Sequence, residues 1–175
     1  MSVPSQADLA DAIPAAARLA FRDLFTKHPE RFYYCALITT GMAHPPFVAA
    51  WSHEALARAL AEGQPTDVKW SYADSPYSIY AYEQYFASLQ AAFAKRPDMR
   101  HLHDTSRQAE YDLRLAAMEQ AMAQLDAEGL FGVGAERDEK VVLVEVMPPD
   151  WTNTERARRL NSPAALATWL AEAAE

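Results

Sequence analysis

The sequence has little cysteine, no excess of basic residues and no long apolar run, and each of these shortages excludes a class of partner or a cellular location. Its one cysteine, Cys35, excludes an internal disulfide and lies in an apolar run, which indicates a buried side chain and a reducing compartment. With 24 Asp and Glu residues against 16 Lys and Arg, the net charge of −8 disfavours nucleic acid and anionic lipid as partners. No apolar run reaches membrane-spanning length, and Asp8 and Asp11 stand where a secretory signal needs basic residues, so we expect a cytoplasmic protein without a membrane partner.

The composition that remains is that of a folded protein. Half of the 175 residues are hydrophobic and 11% are aromatic, which is enough apolar surface to build a core at this length. No segment repeats, and no internal linker divides the chain. We therefore expect residues 1–175 to form a single domain.

Hydrophobic periodicity predicts an α+β fold. Helices are expected where apolar residues recur every three to four positions, and strands where branched and aromatic residues cluster or alternate with polar ones. We expect a small, mainly antiparallel sheet of three to five strands packed with about six helices. The predicted strands are Phe32–Thr39, Val68–Tyr72 and Val141–Met147, and the segment Met42–Phe47 is expected to be a loop. The predicted helices are 15–27, 52–60, 82–93 and 105–125, followed by two short helices after Pro149.

Helix ends are predicted from capping residues. Pro14 is placed at a first turn, and Gly63 and Gly129 are placed just beyond helix ends, where a left-handed residue is common. The expected N-caps are Ser52, Thr105 with Gln108, Thr152 with Glu155, and Ser162 followed by Pro163. One buried face of the helix 105–125 is expected to carry Tyr111, Leu115, Met118, Met122 and Leu125.

Motifs that carry chemistry are scarce. No phosphate-binding loop, nucleophile elbow or HExxH pattern occurs, and Gly132 and Gly134 follow a helix instead of preceding one. The cluster His101-x-His103-Asp104 has metal-like spacing but lies in a polar connection, so we expect no metal and no cofactor. Glu145 is the one charge in a branched strand, and such a carboxylate must reach water, pair with a cation or acquire a raised pKa.

Aromatic residues concentrate in the middle third of the chain. The segment Trp70–Tyr77 reads as a strand end followed by a turn, and such amphipathic aromatics suit either a core or a recognition surface. For Asp74 we favour a structural role in the turn, accepting hydrogen bonds from backbone amides. The candidate ligand or partner surface comprises Trp51, Trp70, Tyr72, Asp74 and Tyr77, with no catalytic residue assigned.

Several motifs resemble a known family. Phe32-Tyr33-Tyr34, Lys69-Trp70-Ser71-Tyr72-Ala73-Asp74-Ser75-Pro76-Tyr77 and Val144-Glu145-Val146-Met147-Pro148-Pro149-Asp150 are similar to the bacterial domain-of-unknown-function family 4303, across nearly the whole chain. The resemblance implies one intact bacterial domain and adds no activity. More loosely, by genomic habit, the chain resembles small acidic proteins that neutralise toxins delivered between competing bacteria.

Two functions from different classes remain open. The first is a non-enzymatic protein-binding module, such as an immunity-type toxin inhibitor, whose acidic surface attracts a basic partner. The alternative is a small hydrolase-like or metal-dependent enzyme that uses Asp74, Glu83 or Glu145 with His101 or His103. The two are distinguished by whether such groups converge within reach of one substrate.

Overall fold

The computed structural model describes residues 6–174, with side chains from Asp8 onward. In this range the chain forms eight α-helices, two short 3-10 helices and one three-stranded sheet. The strands are β1 (Phe32–Thr40), β2 (Phe47–Ser52) and β3 (Val141–Met147). The helices are α1 (Gln6–Lys27), α2 (His53–Ala61), α3 (Tyr82–Tyr85), α4 (Ala87–Ala94), α5 (Asp104–Ala127), α6 (Ala135–Asp138), α7 (Trp151–Leu160) and α8 (Pro163–Glu172), and the 3-10 helices are Thr66–Trp70 and Met99–His101.

The α+β class is confirmed, but the sheet is mixed and not mainly antiparallel, and the described residues form eight α-helices where about six were expected. The strand order is β2-β1-β3, and β1 pairs antiparallel with β2 and parallel with β3. The β1–β3 pair places Tyr34 opposite Val141 and Ile38 opposite Glu145. About a hundred residues separate β1 from β3, so the path of the chain between them decides whether the two strands run parallel. No local sequence pattern indicates that direction.

A single hydrophobic cluster joins both faces of the sheet to the helices. All but the last residue of β1 are buried, as expected of a central strand. Helices α1 and α5 pack against each other, and the chain just after α5 adds Phe131, whose ring lies edge-on to that of Phe21 with the ring centres 5.1 Å apart. The predicted face of α5 is confirmed: Leu115, Met118, Met122 and Leu125 are buried, and Tyr111 is half-buried.

Three predicted elements differ from the structure. The segment expected as the strand Val68–Tyr72 is the 3-10 helix Thr66–Trp70, because alternation over five residues fits either form and no sheet edge is free to receive it. The expected loop Met42–Phe47 ends where β2 begins, and β2 itself was not predicted because its alanines carry little strand signal. The single predicted helix 82–93 is two helices that meet at Phe86.

Capping signals were correct at two helix starts and wrong at two others. Ser52 accepts a hydrogen bond from the Ala55 amide, and Ser162 accepts one from the Ala165 amide. The helix expected from Thr105 begins at Asp104 after His103, and the helix expected from Thr152 is capped by Asp150. Helix α1 extends well before the predicted start and contains Pro14, because Leu9 and Ile13 are buried in the core.

Both outer edges of the sheet are closed by side chains and irregular backbone. The amide of Tyr80 donates to the Val48 carbonyl at 3.1 Å, and the Ser75 hydroxyl donates to Ala50, so the segment 75–80 covers β2. Side chains of α7 and the residue after it cover β3. Asn153 accepts from the Val146 amide and donates to its carbonyl, and Asn161 does the same at Val142. Arg156 donates to the Val144 carbonyl between them.

Candidate binding cleft

A cleft of about 650 Å³ lies where β3 meets the 3-10 helix Thr66–Trp70 and the end of α8. We call it the sheet cleft. It is lined by Thr66, Asp67, Lys69, Trp70, Ser71, Glu145, Met147, Pro149, Glu172 and Ala173. Three carboxylates and one ammonium group therefore surround it, and an aromatic ring forms part of its wall.

Glu145 is held in this cleft by the register of the sheet. Strand alternation puts it on the same face as Tyr34, whose hydroxyl donates to the Glu145 carboxylate at 2.5 Å. Both residues are buried. Burial first, and then the negative charge of Glu145, raise the pKa of Tyr34 well above 10, so Tyr34 keeps its proton and remains the donor.

Glu172 binds two adjacent residues of the 3-10 helix, Lys69 and Trp70. One of its carboxylate oxygens accepts from Lys69 Nζ at 2.7 Å and from the indole nitrogen of Trp70 at 2.8 Å. The Lys69 ammonium also lies 5.0 Å from the centre of the Trp70 ring, within the range of a cation–π contact. The hydrogen bond from Lys69, followed by that from Trp70, lowers the pKa of Glu172, which is therefore ionised at neutral pH.

The five residues of the predicted surface do not converge. Trp70 lines the sheet cleft, whereas the other four are absent from its described lining. Trp51 is fully buried and donates its indole N–H to the Ser71 carbonyl at 2.8 Å. Tyr72 is half-buried with its ring 5.8 Å from that of Phe47.

Tyr77 and Asp74 lie in different surroundings again. Tyr77 is buried, and its hydroxyl donates to Glu30 at 2.8 Å and accepts from Arg58 at 3.2 Å. Burial, then the bond to Glu30, raises the pKa of Tyr77 to about 12. Asp74 is exposed and accepts from the Ser71 hydroxyl at 2.5 Å, whereas the turn amide of Tyr77 is bound by the Ser75 hydroxyl. We expected a backbone amide of the turn to donate to Asp74, but the donor is the Ser71 hydroxyl.

The sequence pointed to Glu145 and Trp70 but not to Glu172 or Tyr34 as their partners. Glu145 was detectable because a lone charge in an apolar strand needs a special environment. Glu172 lies on the last helix, where a surface glutamate is ordinary, and only tertiary packing brings it to Trp70.

The acid–base groups of the alternative function lie apart. His53 lines an adjoining cleft of about 360 Å³ together with Trp70, and no histidine belongs to the described lining of the sheet cleft. His101 lies 3.7 Å from Asp98, in the connection between α4 and α5. Among residues 6–174 no group of three or more His, Cys, Asp or Glu side chains is arranged to hold a metal ion.

Comparisons with known proteins give a family without an assigned activity. None of the helices in the described range is long and apolar enough to cross a membrane. No curated protein and no solved structure matches the chain. The family profile described as Domain of unknown function (DUF4303) matches residues 13–162 of 175, and the chain belongs to this family, as its motifs indicated.

Proposed function

We propose that this chain is a non-enzymatic protein-binding module that takes a basic side chain of its partner into the sheet cleft. The observation that carries the proposal is the contact of Lys69 with Trp70 and Glu172. An ammonium group from the chain itself already rests between an aromatic face and a carboxylate there. The cleft therefore offers the two features that recognise a lysine or arginine side chain from another protein.

The charges around the cleft support the same class of partner. Asp67, Glu145 and Glu172 outnumber Lys69, and the whole chain carries a net charge of −8. A long-range negative potential raises the association rate with basic surfaces, and the cleft walls concentrate that potential. An immunity-type inhibitor of a basic toxin is the finer form of this proposal, supported by the same charge and by the size of the chain.

The enzymatic alternative has weaker support. Glu145 and Glu172 line one cleft, whereas Asp74 is bonded to Ser71 on the exposed turn and His53 lines the adjoining cleft. General acid–base chemistry needs its groups within hydrogen-bond reach of one substrate. The described positions of these residues favour binding over turnover.

The test measures binding of short peptides by isothermal titration calorimetry, with octa-arginine and octa-lysine as ligands and octa-glutamate as the negative control. We expect saturable binding of the basic peptides that weakens with added salt. Glu172→Gln should weaken it about three- to five-fold, the scale of an exposed ion pair. Trp70→Leu should weaken it further because the aromatic wall is lost.

The matched control is Glu155→Gln. Glu155 is exposed on α7, so this variant makes the same change in net charge away from the cleft. If both glutamine variants weaken binding equally, the attraction belongs to the overall charge and the cleft has no special role. For the inhibitor, wild type should suppress the activity of a purified basic nuclease toxin, and Glu172→Gln should do so less.

A further inference from the structure

A second cavity is lined by basic residues, in contrast to the rest of this acidic chain. It has a volume of about 460 Å³ and lies beyond the carboxyl end of β1, between the turn that follows this strand and the connection from α4 to α5. We call it the arginine groove, after Arg96, Arg100 and Arg114. A smaller cavity of about 240 Å³ adjoins it and shares Met99. Ligand sites of sheets with parallel strands commonly open at this end of the strands.

Two of the three guanidinium groups are fixed in the floor of the groove. The side chains of Arg96 and Arg114 are 4% and 5% exposed, and both donate to the carboxylate of Glu110 at 2.6–2.7 Å. Arg114 also donates to the carbonyls of Ala43 at 3.2 Å and Pro97 at 2.8 Å, which belong to the two sides of the groove. Their positions are thus set before any ligand arrives.

The third guanidinium lies at the rim, exposed to solvent and paired with Asp98. The Arg100 side chain is 78% exposed and pairs with Asp98 at 2.7 Å. His44 stands on the opposite rim, exposed, with one ring nitrogen 2.8 Å from the Thr40 hydroxyl. Asp98 is a planar two-oxygen group, the kind that guanidinium binds best, and a ligand carboxylate or phosphate would compete with it for the exposed Arg100.

We propose that the arginine groove binds the anionic group, a carboxylate or a phosphate, of a small molecule. The three guanidinium groups exceed by one the two carboxylates that pair with them, Glu110 in the floor and Asp98 at the rim. An anion entering here meets a positive potential that the low-dielectric floor strengthens. The proposal is independent of the function proposed for the sheet cleft, because the two sites share no lining residue.

The experiment is calorimetric titration with inorganic phosphate and, separately, with citrate, at constant ionic strength in sodium chloride. We expect saturable one-to-one binding of at least one of these anions. The anion that binds more tightly identifies a phosphate or a carboxylate as the natural group. Heats that only reflect dilution for both anions would overturn the proposal.

Two rim variants change the charge in opposite directions. Arg100→Gln removes a cation and should weaken binding roughly ten-fold, as expected for a charge-assisted hydrogen bond. Asp98→Asn removes the competing carboxylate, can still cap the short helix that Asp98 caps, and should tighten binding several-fold. Because both side chains are on the rim, far-ultraviolet circular dichroism should show unchanged folding.

The exposed pair Glu155 and Arg158 on α7 supplies matched controls. Arg158→Gln and Glu155→Gln make the same changes in net charge but lie outside the groove lining, and each should leave the affinity within two-fold of wild type. If Arg158→Gln weakens binding as much as Arg100→Gln, the anion responds to net charge alone and the proposal is wrong.

Discussion

Asn153 replaces a missing strand at the outer edge of β3, and its removal tests how much this edge depends on side chains. The amide group accepts from the Val146 N–H at 2.8 Å and donates to the Val146 carbonyl at 3.1 Å, the two bonds that a neighbouring strand would make. It also accepts from Arg156 at 2.5 Å. Asn153 is only 2% exposed. The variant Asn153→Ala leaves these groups without that partner.

The expected loss follows from the groups left behind. A buried backbone donor or acceptor without a partner costs about 1–3 kcal/mol, and Val146 would lose a partner for one of each. Water entering the space vacated by the amide recovers part of this energy. We therefore expect Asn153→Ala to lower the free energy of unfolding by about 3 kcal/mol and the melting temperature by about 6–12 °C.

Urea unfolding followed by circular dichroism measures this loss, with Glu155→Ala on the exposed side of α7 as the control. The control should stay within about 0.5 kcal/mol of wild type. Asn153→Asp keeps an acceptor for the Val146 amide and for Arg156, so it should lose less than the alanine variant. A loss below about 1 kcal/mol for Asn153→Ala would refute the view that this side chain closes the sheet edge.

Three further outcomes follow from the buried residues. Leu115→Ala should lower stability by about 2–5 kcal/mol in urea unfolding, and a loss under half a kilocalorie would contradict its buried position. Burial raises the pKa of Glu110, but the bonds from Arg96 and Arg114 outweigh this and hold it below 4.5; wild type should lose the resulting stabilisation as pH falls below about 4.5. Glu110→Gln should cost about 3–5 kcal/mol at neutral pH, a difference that shrinks in acid, and a constant difference would contradict the assignment. Burial raises the pKa of Cys35 to about 12, so a disulfide reagent should label it on the order of 100-fold faster in denaturant than in the native protein.

Elements whose signals are local were predictable from the sequence. Val141–Met147 was predicted at its observed bounds because a run of branched residues between polar and proline-rich segments has one stable form. Ser52 and Ser162 were identified as caps because a cap bonds to an amide three residues away. Thr152 failed because the helix is capped two residues earlier, by the Asp150 side chain, which accepts from the Thr152 amide.

Long-range pairing explains what the sequence could not reveal. The direction of β3 relative to β1 depends on the path of every helix between them, and the 3-10 form of Thr66–Trp70 depends on the edge of β2 already being covered. The same applies to the site. Glu145 was recognisable as a lone charge among apolar neighbours. The sequence around Glu172 has no such signal, because only the packing of α8 places it beside Lys69 and Trp70.

The segment Trp70–Tyr77, which the sequence presents as one motif, is divided by the fold into two roles. Trp70 and Ser71 line the sheet cleft, whereas Ser75 binds the Ala50 carbonyl and begins the cover over β2. With Asn153 closing the other edge, neither outer strand offers a free row of backbone groups in the described chain for a partner strand to extend. Under the proposed function, a partner would therefore be recognised through side chains, and Trp70 and its carboxylate neighbours are the surface on which that recognition is best tested.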